Sequence, residues 1–143
     1  MSEIALWKMI KDRIAPHAGK WMRVENPCLP GTPDVHYCWE GRTGWLELKE
    51  IEDWPARPDT PVRIPHFTKE QRLWIWDYAE HKGVVRLLLR VRRAREYLLF
   101  GPKFAVDELG FATRDRTLEG ALLVGGPQLP VQELLEALWD AGP

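Results

Sequence analysis

Two carboxylates and one ammonium in the segment PGTPDVHYCWEGRTGWLELKE have the types and spacing that phosphate chemistry requires. They belong to Asp34, Glu47 and Lys49. Because side chains alternate across a β-strand, Glu47 and Lys49 would share one face of a strand. A glycine-containing turn at Glu40–Gly44 would fold that strand against the one that starts near Asp34. We therefore expect the three polar groups to converge.

Such a set could hydrolyse a phosphodiester bond with the help of a divalent cation. Carboxylate oxygens are the ligands that Mg²⁺ prefers, and the backbone carbonyl of Leu48 could add a third oxygen. A bound cation polarises the phosphate and lowers the pKa of an attacking water. Lys49 could orient that water, help to deprotonate it, or neutralise charge in the transition state. A charged strand face beside a turn contains similar residues without chemistry, so only the joint pattern indicates this activity.

The joint pattern resembles that of the PD-(D/E)xK nuclease superfamily, and within it archaeal-type and phage Holliday junction resolvases and their VRR-NUC relatives. The resemblance rests on Pro-Asp at 33–34 and Glu-Leu-Lys at 47–49, and it covers the chain from Glu3 to about Val91. It implies that the two acids are metal ligands for Mg²⁺ or Mn²⁺ and that the lysine is catalytic. It also implies a restriction-endonuclease-like α/β core, with a central mixed sheet flanked by helices, and often a homodimer.

Two further residues support the resemblance. In similar resolvases a glutamate of the first helix reaches the metal, which makes Glu3 a candidate ligand and catalytic residue. An exposed acid that favours the helix dipole is the alternative interpretation of Glu3. Gln71 could point into the site, but it also follows Thr68 by three residues and so predicts a capping box. His36 would share the strand face of Asp34, where we expect a packing or supporting role.

The predicted elements form one α/β domain. An apolar stripe of Ile4, Trp7, Ile10 and Ile14 predicts the first helix. The order of helix, three strands, helix and strand indicates a central mixed sheet flanked by helices. Segment 101–128 has only a weak pattern. The predicted bounds are 2–14, 68–82 and 131–139 for helices, and 20–25, 35–39, 45–51, 84–91 and 96–100 for strands.

Two segments are candidates for DNA contacts. Arg92, Arg93 and Arg95 form a basic cluster that could bind phosphates, although a charged turn between strands explains it as well. The proline-rich loop 52–67 is long for a compact domain. Its part from Asp53 to His66, with Trp54, Arg57, Arg63 and His66, could clasp DNA as a mobile arm. The helix at 131–139 could form a dimer contact or cover its own sheet.

Composition limits the class of protein. The 143 residues are 45% hydrophobic and 29% charged, which predicts one globular domain over 1–143. The resemblance implies that this is a nuclease domain with its catalytic core at about 1–100. A net charge of -1 means that DNA binding would need a local basic patch. Cys28 and Cys38 form no C-x-x-C pair, which argues against zinc. No signal peptide or membrane span is apparent, so we expect a cytoplasmic, intracellular protein that a cellular or phage gene could encode.

The leading hypothesis is a Mg²⁺-dependent, structure-selective DNA endonuclease that cuts four-way junctions as a homodimer. A second hypothesis is a PD-(D/E)xK nuclease of other specificity, for a single strand, a flap or a restriction site. A third, of another class, is a non-catalytic nucleic-acid-binding module. The intact set of Asp34, Glu47 and Lys49 argues against the third, because a module without chemistry has no need of all three.

Overall fold

A computed structural model describes residues 2–14 and 19–138, with side chains from Ile4 onward. The helices are α1 (Ser2–Arg13), α2 (Lys69–Glu80), α3 (Pro102–Asp107), α4 (Arg114–Gly120) and α5 (Val131–Ala137). The strands are β1 (Lys20–Arg23), β2 (Val35–Trp39), β3 (Arg42–Ile51), β4 (Val85–Val91), β5 (Glu96–Phe100) and β6 (Leu123–Gly125).

The six strands form one sheet in chain order, from β1 at one edge to β6 at the other. All neighbouring strands are antiparallel except β3 and β4, which are parallel. A parallel pair needs a crossover connection, and here the loop 52–68 together with α2 supplies it. The predicted α/β architecture, a central mixed sheet flanked by helices, is confirmed.

Each face of the sheet buries its own hydrophobic core. Leu46 and Leu48 of β3 pack with residues of α1 and α5 in the first core. Ile51 of β3 packs with the loop 52–68 and α3 in the second core. Because alternate residues of β3 point to opposite faces, Glu47 and Lys49 lie on the side of the second core.

The prediction for the first helix was right in extent and at Ile10 and Ile14, but wrong at Ile4. The side chains of Leu6, Ile10 and Ile14 are fully buried, whereas Ile4 is 54% exposed. Leu6, Ile10 and Ile14 recur every four residues and so form one stripe along the helix. Trp7 packs at the edge of this core.

The turn between β2 and β3 is shorter than predicted. Glu40 and Gly41 both have positive φ angles, 51° and 78°, as a two-residue hairpin turn requires. The strand β3 therefore begins at Arg42 and includes Gly44, which the prediction had placed in the turn. A tighter turn fixes the register of β2 against β3 more strictly.

Segment 101–128 contains three elements that its sequence pattern does not indicate. The helices α3 and α4 have six and seven residues, and β6 has three. Elements this short do not repeat the helical or strand period often enough to be recognised. None of the described helices is long and apolar enough to cross a membrane. The last predicted helix is α5, and its predicted end at 139 lies outside the described residues.

The loop 52–67 is anchored in the second core by two of its residues, which contradicts a freely mobile arm. A contact of the loop with DNA stays a prediction. Trp54 and Val62 are only 8% and 1% exposed. The indole Nε1 of Trp54 donates to Glu96 Oε1 at 2.6 Å, and Val62 N donates to Ala112 O at 2.9 Å. These contacts bury two apolar side chains and satisfy polar groups on the loop.

One arginine of α2 joins this loop to α3. Arg72 is the fourth residue after the helix cap Thr68, and its guanidinium lies 4.1 Å from the ring centroid of Phe67 and 5.0 Å from that of Phe111. This contact takes the place of the apolar staple often found at the start of a helix. The same guanidinium donates to three carbonyl oxygens near the end of α3, those of Ala105, Val106 and Leu109.

We predict that Arg72→Met destabilises the domain by about 2–4 kcal/mol, because it leaves three carbonyls without their charged donor. The measurement is urea unfolding of the wild type and the variant. Lys69→Met, on the same helix but exposed, is the control and should change stability by less than about 0.5 kcal/mol. Equal stability of Arg72→Met and the wild type would contradict this role.

Candidate active site

The strand β3 buries two opposite charges on one face. Glu47 and Lys49 are each 1% exposed. Their register neighbours on β4 are Leu87 and Leu89, which belong to the second core. A charged pair surrounded by leucines loses most of its hydration, so it needs polar partners close by.

Asp34 lies opposite Glu47, one step beyond the last paired residues of β2 and β3, Val35 and Leu46. Its carboxylate Oδ2 accepts a hydrogen bond from Leu48 N at 2.9 Å. The side chain thus occupies the position where a further residue of β2 would have bonded to β3. The hydrogen bond from Leu48 N therefore holds the Asp34 carboxylate beside Glu47, which lies on the same strand as Leu48.

The carbonyl of Leu48 points toward the place beside β3 where β2 has ended, which we call the open end of β2. In a strand, the N–H and C=O of one residue point toward the same neighbouring strand. Trp45 N donates to Val84 O, so the odd positions of β3 direct their peptide groups toward β4. Leu48 N instead donates to Asp34, so the Leu48 carbonyl also points away from β4. Two carboxylates and one carbonyl therefore border one small region.

The ammonium of Lys49 is held from two sides. Its Nζ lies 3.2 Å from Glu47 Oε2 and donates to His66 O at 2.9 Å. The same Nζ is 5.6 Å from the ring centroid of Phe67. His66 has a φ of 63°, in the left-handed region that non-glycine residues seldom adopt. The backbone of the loop 52–68 is thus held in an uncommon conformation at the point where it binds the lysine.

The loop before Asp34 packs tightly on the start of α2. Gly31 has a φ of 90°, and a Cβ placed on it would lie 2.3 Å from Glu70 O. Only glycine allows so close an approach in this conformation. At the other end of the loop, Val24 N donates to Asp34 O at 2.8 Å. These two contacts fix the chain on either side of Pro33, which is buried.

The structure brings together four of the predicted site residues: Asp34, Glu47, Leu48 and Lys49. Gln71 forms the predicted capping box: its Oε1 accepts from Thr68 N at 2.9 Å, and its own N donates to Thr68 Oγ1. These are helix-capping bonds, and a role of Gln71 in the site stays a prediction. The predicted contact of Glu3 with the metal falls on a side chain outside the described residues.

Sequence reasoning named His66 only as part of a DNA-clasping arm, and it missed Phe67 and Gly31. His66 acts through its backbone carbonyl, which no residue type reveals. Phe67 directly precedes the helix cap, where an apolar residue often packs on the first turn, so this signal was present. Gly31 stands in a loop rich in proline and glycine, where nothing in the sequence distinguishes a close approach from an ordinary turn.

The basic cluster after β4 is largely a charged turn. Arg92 and Arg93 both donate to the carboxylate of Glu52. These hydrogen bonds lower the pKa of Glu52 to about 2. Of the three arginines predicted to contact DNA, two therefore share an acidic partner from the loop 52–67, which reduces their net positive charge.

The oxygen groups of the site fit a hard divalent cation. Asp34 and Glu47 supply carboxylates and Leu48 a carbonyl, the donor types that Mg²⁺ accepts while it keeps several waters. Among the side chains that the structure describes, no group of three or more His, Cys, Asp or Glu that could hold a metal ion is found.

No protein-family model matches the chain, and no curated protein matches it. Among solved structures, the chain is similar to Hjc from Archaeoglobus fulgidus, a Holliday junction resolvase from an archaeal hyperthermophile. The sequence identity is 16% and the TM-score is 0.41, over 71% of this chain and 73% of that one. These values support no conclusion about chemistry, so the function of this chain is inferred from its own residues.

We predict that Gly31→Ala destabilises the protein more than Gly41→Ala. Both glycines have positive φ, but a Cβ at Gly41 meets nothing within 4 Å, whereas one at Gly31 meets the backbone of α2. Gly41→Ala should cost about 1 kcal/mol from backbone strain, and Gly31→Ala about 1–3 kcal/mol more from steric overlap. Thermal and urea unfolding measure both, and equal losses would show that the loop does not press on α2.

A second prediction concerns the buried pair. Glu47→Gln and Lys49→Met should each cost about 3–5 kcal/mol, because each leaves an uncompensated buried charge. The double variant should be more stable than the sum of these losses implies, by at least about 1 kcal/mol. Urea unfolding of all four proteins at neutral pH completes the cycle. Additivity within about 0.5 kcal/mol would mean that the two charges do not stabilise each other.

Proposed function

We propose that this chain is a metal-dependent endonuclease that hydrolyses phosphodiester bonds in DNA. One observation carries the proposal. Asp34, Glu47 and the Leu48 carbonyl border one region at the open end of β2, with the ammonium of Lys49 3.2 Å from the Glu47 carboxylate. Acidic oxygens for a cation next to a fixed positive charge are what cleavage of a phosphate ester requires.

In this proposal Asp34, Glu47 and Leu48 hold Mg²⁺, and Mn²⁺ substitutes for it. When bound, the cation polarises the scissile phosphate and lowers the pKa of an attacking water. Asp34 has a second task, because its bond to Leu48 N keeps the end of β3 in place. Glu47 likewise has two partners, the cation and Lys49. Glu3 completes the ligand set as a candidate, and Gln71 is a candidate for contact with substrate or water.

Lys49 supplies positive charge from a fixed position. Its ammonium is buried between Glu47 and the carbonyl of His66, so its orientation is set before substrate arrives. A preorganised charge of this kind orients the attacking water or neutralises charge that develops on the phosphate. The cost of burying a lysine is hard to explain in a module that only binds nucleic acid, which makes catalysis the better proposal.

We further propose that the enzyme is a PD-(D/E)xK nuclease that cuts four-way junctions as a homodimer. The spacing of the Pro-Asp at 33–34 and the Glu-Leu-Lys at 47–49 supports the superfamily. Two sites related by a two-fold axis would suit a symmetric junction. A related nuclease specific for single strands, flaps or restriction sites would have the same active site, so substrate choice has to be measured.

Asp34→Asn is the sharpest test of the activity. The amide oxygen can still accept from Leu48 N, so the strand end should stay in place while the charge is lost. We expect the variant to lose at least about a hundredfold in Mg²⁺-dependent cleavage and to keep its DNA affinity in EDTA. Asp59→Asn, in the exposed part of the loop 52–67, is the control and should cleave as the wild type does.

A labelled four-way junction, a flap, a duplex and a single strand are compared with Mg²⁺ and with Mn²⁺. Symmetric nicks in the junction, with a dimer mass in sedimentation at micromolar concentration, support the resolvase. Cleavage of the other DNAs alone removes the junction claim and keeps the nuclease. A single-subunit mass counts against the homodimer, which is a separate prediction. Binding without cleavage in either metal rejects catalysis and favours a binding module.

A further inference from the structure

The sheet face that carries the candidate site continues beyond it as a row of aromatic and thioether side chains. His36 is opposite Trp45 across β2 and β3, and opposite Met22 across β1 and β2. Residues directly opposite each other in antiparallel strands share a face. His36 follows Asp34 by two residues, and Trp45 precedes Glu47 by two, so this row lies on the face of the two acids. We call Met22, His36 and Trp45 the aromatic row.

The aromatic row is next to the catalytic carboxylates and at a fixed distance from them. Side chains on one face of a strand are two residues apart, so successive cross-strand rows are separated by about 7 Å. This is close to the spacing of successive phosphates along an extended single strand. One row further, Lys20 lies opposite Cys38 on the same face and is exposed. The face therefore presents carboxylates, then ring surfaces, then a cation, at intervals of one nucleotide.

Part of this row is open to solvent. Met22 is 43% exposed, although it is a large apolar side chain on a sheet face. The His36 and Trp45 rings lie 4.8 Å apart in an edge-to-face arrangement, and both are partly exposed. The ring of Trp45 also contacts that of Trp74 of α2, at 5.5 Å between centroids, and Trp74 in turn stacks on Tyr78. The helix α2 thus supports one end of the row and leaves the β1–β2 end accessible.

We propose that the aromatic row binds an unpaired nucleobase of the DNA strand being cut, one nucleotide from the scissile phosphate. This inference rests on the proposed nuclease function and names what the same site recognises. Every base has a π-face, so aromatic side chains bind bases without regard to sequence. The thioether of Met22 adds a soft, polarisable contact to such a surface. Lys20 is placed to meet the next phosphate of the same strand.

The aromatic row selects for unpaired nucleotides because it offers ring surfaces on which a base can stack. A base inside a duplex already stacks on both neighbours, so its ring face is not available to a side chain. A base in a flap or in a single strand is available at little cost. A paired base at a branch point becomes available only when its pair opens. The site should therefore favour DNA in which the nucleotide beside the cut is unpaired, and it has no need to read sequence.

The test compares three histidine variants, each checked for wild-type thermal unfolding. His36→Ala removes ring surface from the row and should raise KM for flap and single-stranded DNA about tenfold, with little change in kcat. His36→Phe keeps a ring without the imidazole and should restore the wild-type KM. His81→Ala, an exposed histidine at the end of α2, is the matched control. For a fully paired duplex, His36→Ala should leave KM unchanged.

A second readout does not need cleavage. The Asp34→Asn protein, in EDTA, is titrated with unpaired strands that carry one 2-aminopurine at successive positions. Stacking on a ring quenches this base, so one position should lose fluorescence more than its neighbours. The extra quenching should disappear when His36→Ala is added to Asp34→Asn, and it should return with His36→Phe.

The two readouts separate this inference from the proposed function. If the wild type cuts DNA but neither KM nor quenching depends on a ring at position 36, the inference is wrong and the nuclease stands. If nothing is cut but quenching depends on that ring, the inference about base binding stands and catalysis falls. A rise in KM that His36→Phe does not rescue would assign His36 a role other than stacking and would also overturn the inference. Loss of dimer mass in His36→Ala, with unchanged quenching, would make the row a contact between subunits and overturn it as well.

Discussion

The buried ion pair of Glu47 and Lys49 is the constraint on which the packing of the second-core face of the sheet depends. Two charges that are 1% exposed require polar neighbours, and on the β4 side the sheet supplies leucines. One acceptor comes from His66, whose carbonyl accepts from Lys49 at 2.9 Å. The loop 52–68 must therefore stay against the sheet, since withdrawing it would leave a buried ammonium short of an acceptor.

The contacts of that loop show how this requirement is met. Trp54 and Val62 bury apolar surface in the second core, while Phe67 packs against both Lys49 and Arg72. The guanidinium of Arg72 in turn binds carbonyls near the end of α3. A connection with four prolines would lose much of its freedom in any case, and these anchors give it one position. Through Arg72 and Phe67, the helix α3 thus helps to hold Lys49 in place.

The sequence predicts the site better than its surroundings, for physical reasons. Strand alternation alone places Glu47 and Lys49 on one face, and the bounds of β2 agree with the prediction because its apolar residues end at a clear turn. The prediction for α1 was wrong at Ile4, because Ile4 and Leu6 are equally apolar and only packing against the sheet selects Leu6. The carbonyl of His66 could not be predicted, since a backbone group leaves no trace in residue type.

The strand β3 also explains why these features occur together. Its even residues, Leu46 and Leu48, bury one face, and the peptide group of Leu48 is free to bind Asp34 because β2 has ended there. Its odd residues then follow one another along the opposite face, as a ring, a carboxylate and an ammonium. Successive odd positions are about 7 Å apart, so Trp45, Glu47 and Lys49 lie in one line along β3. The period of two along one β-strand therefore places a ring beside a buried ion pair, and the hairpin partner β2 is directly preceded by one further acid, Asp34.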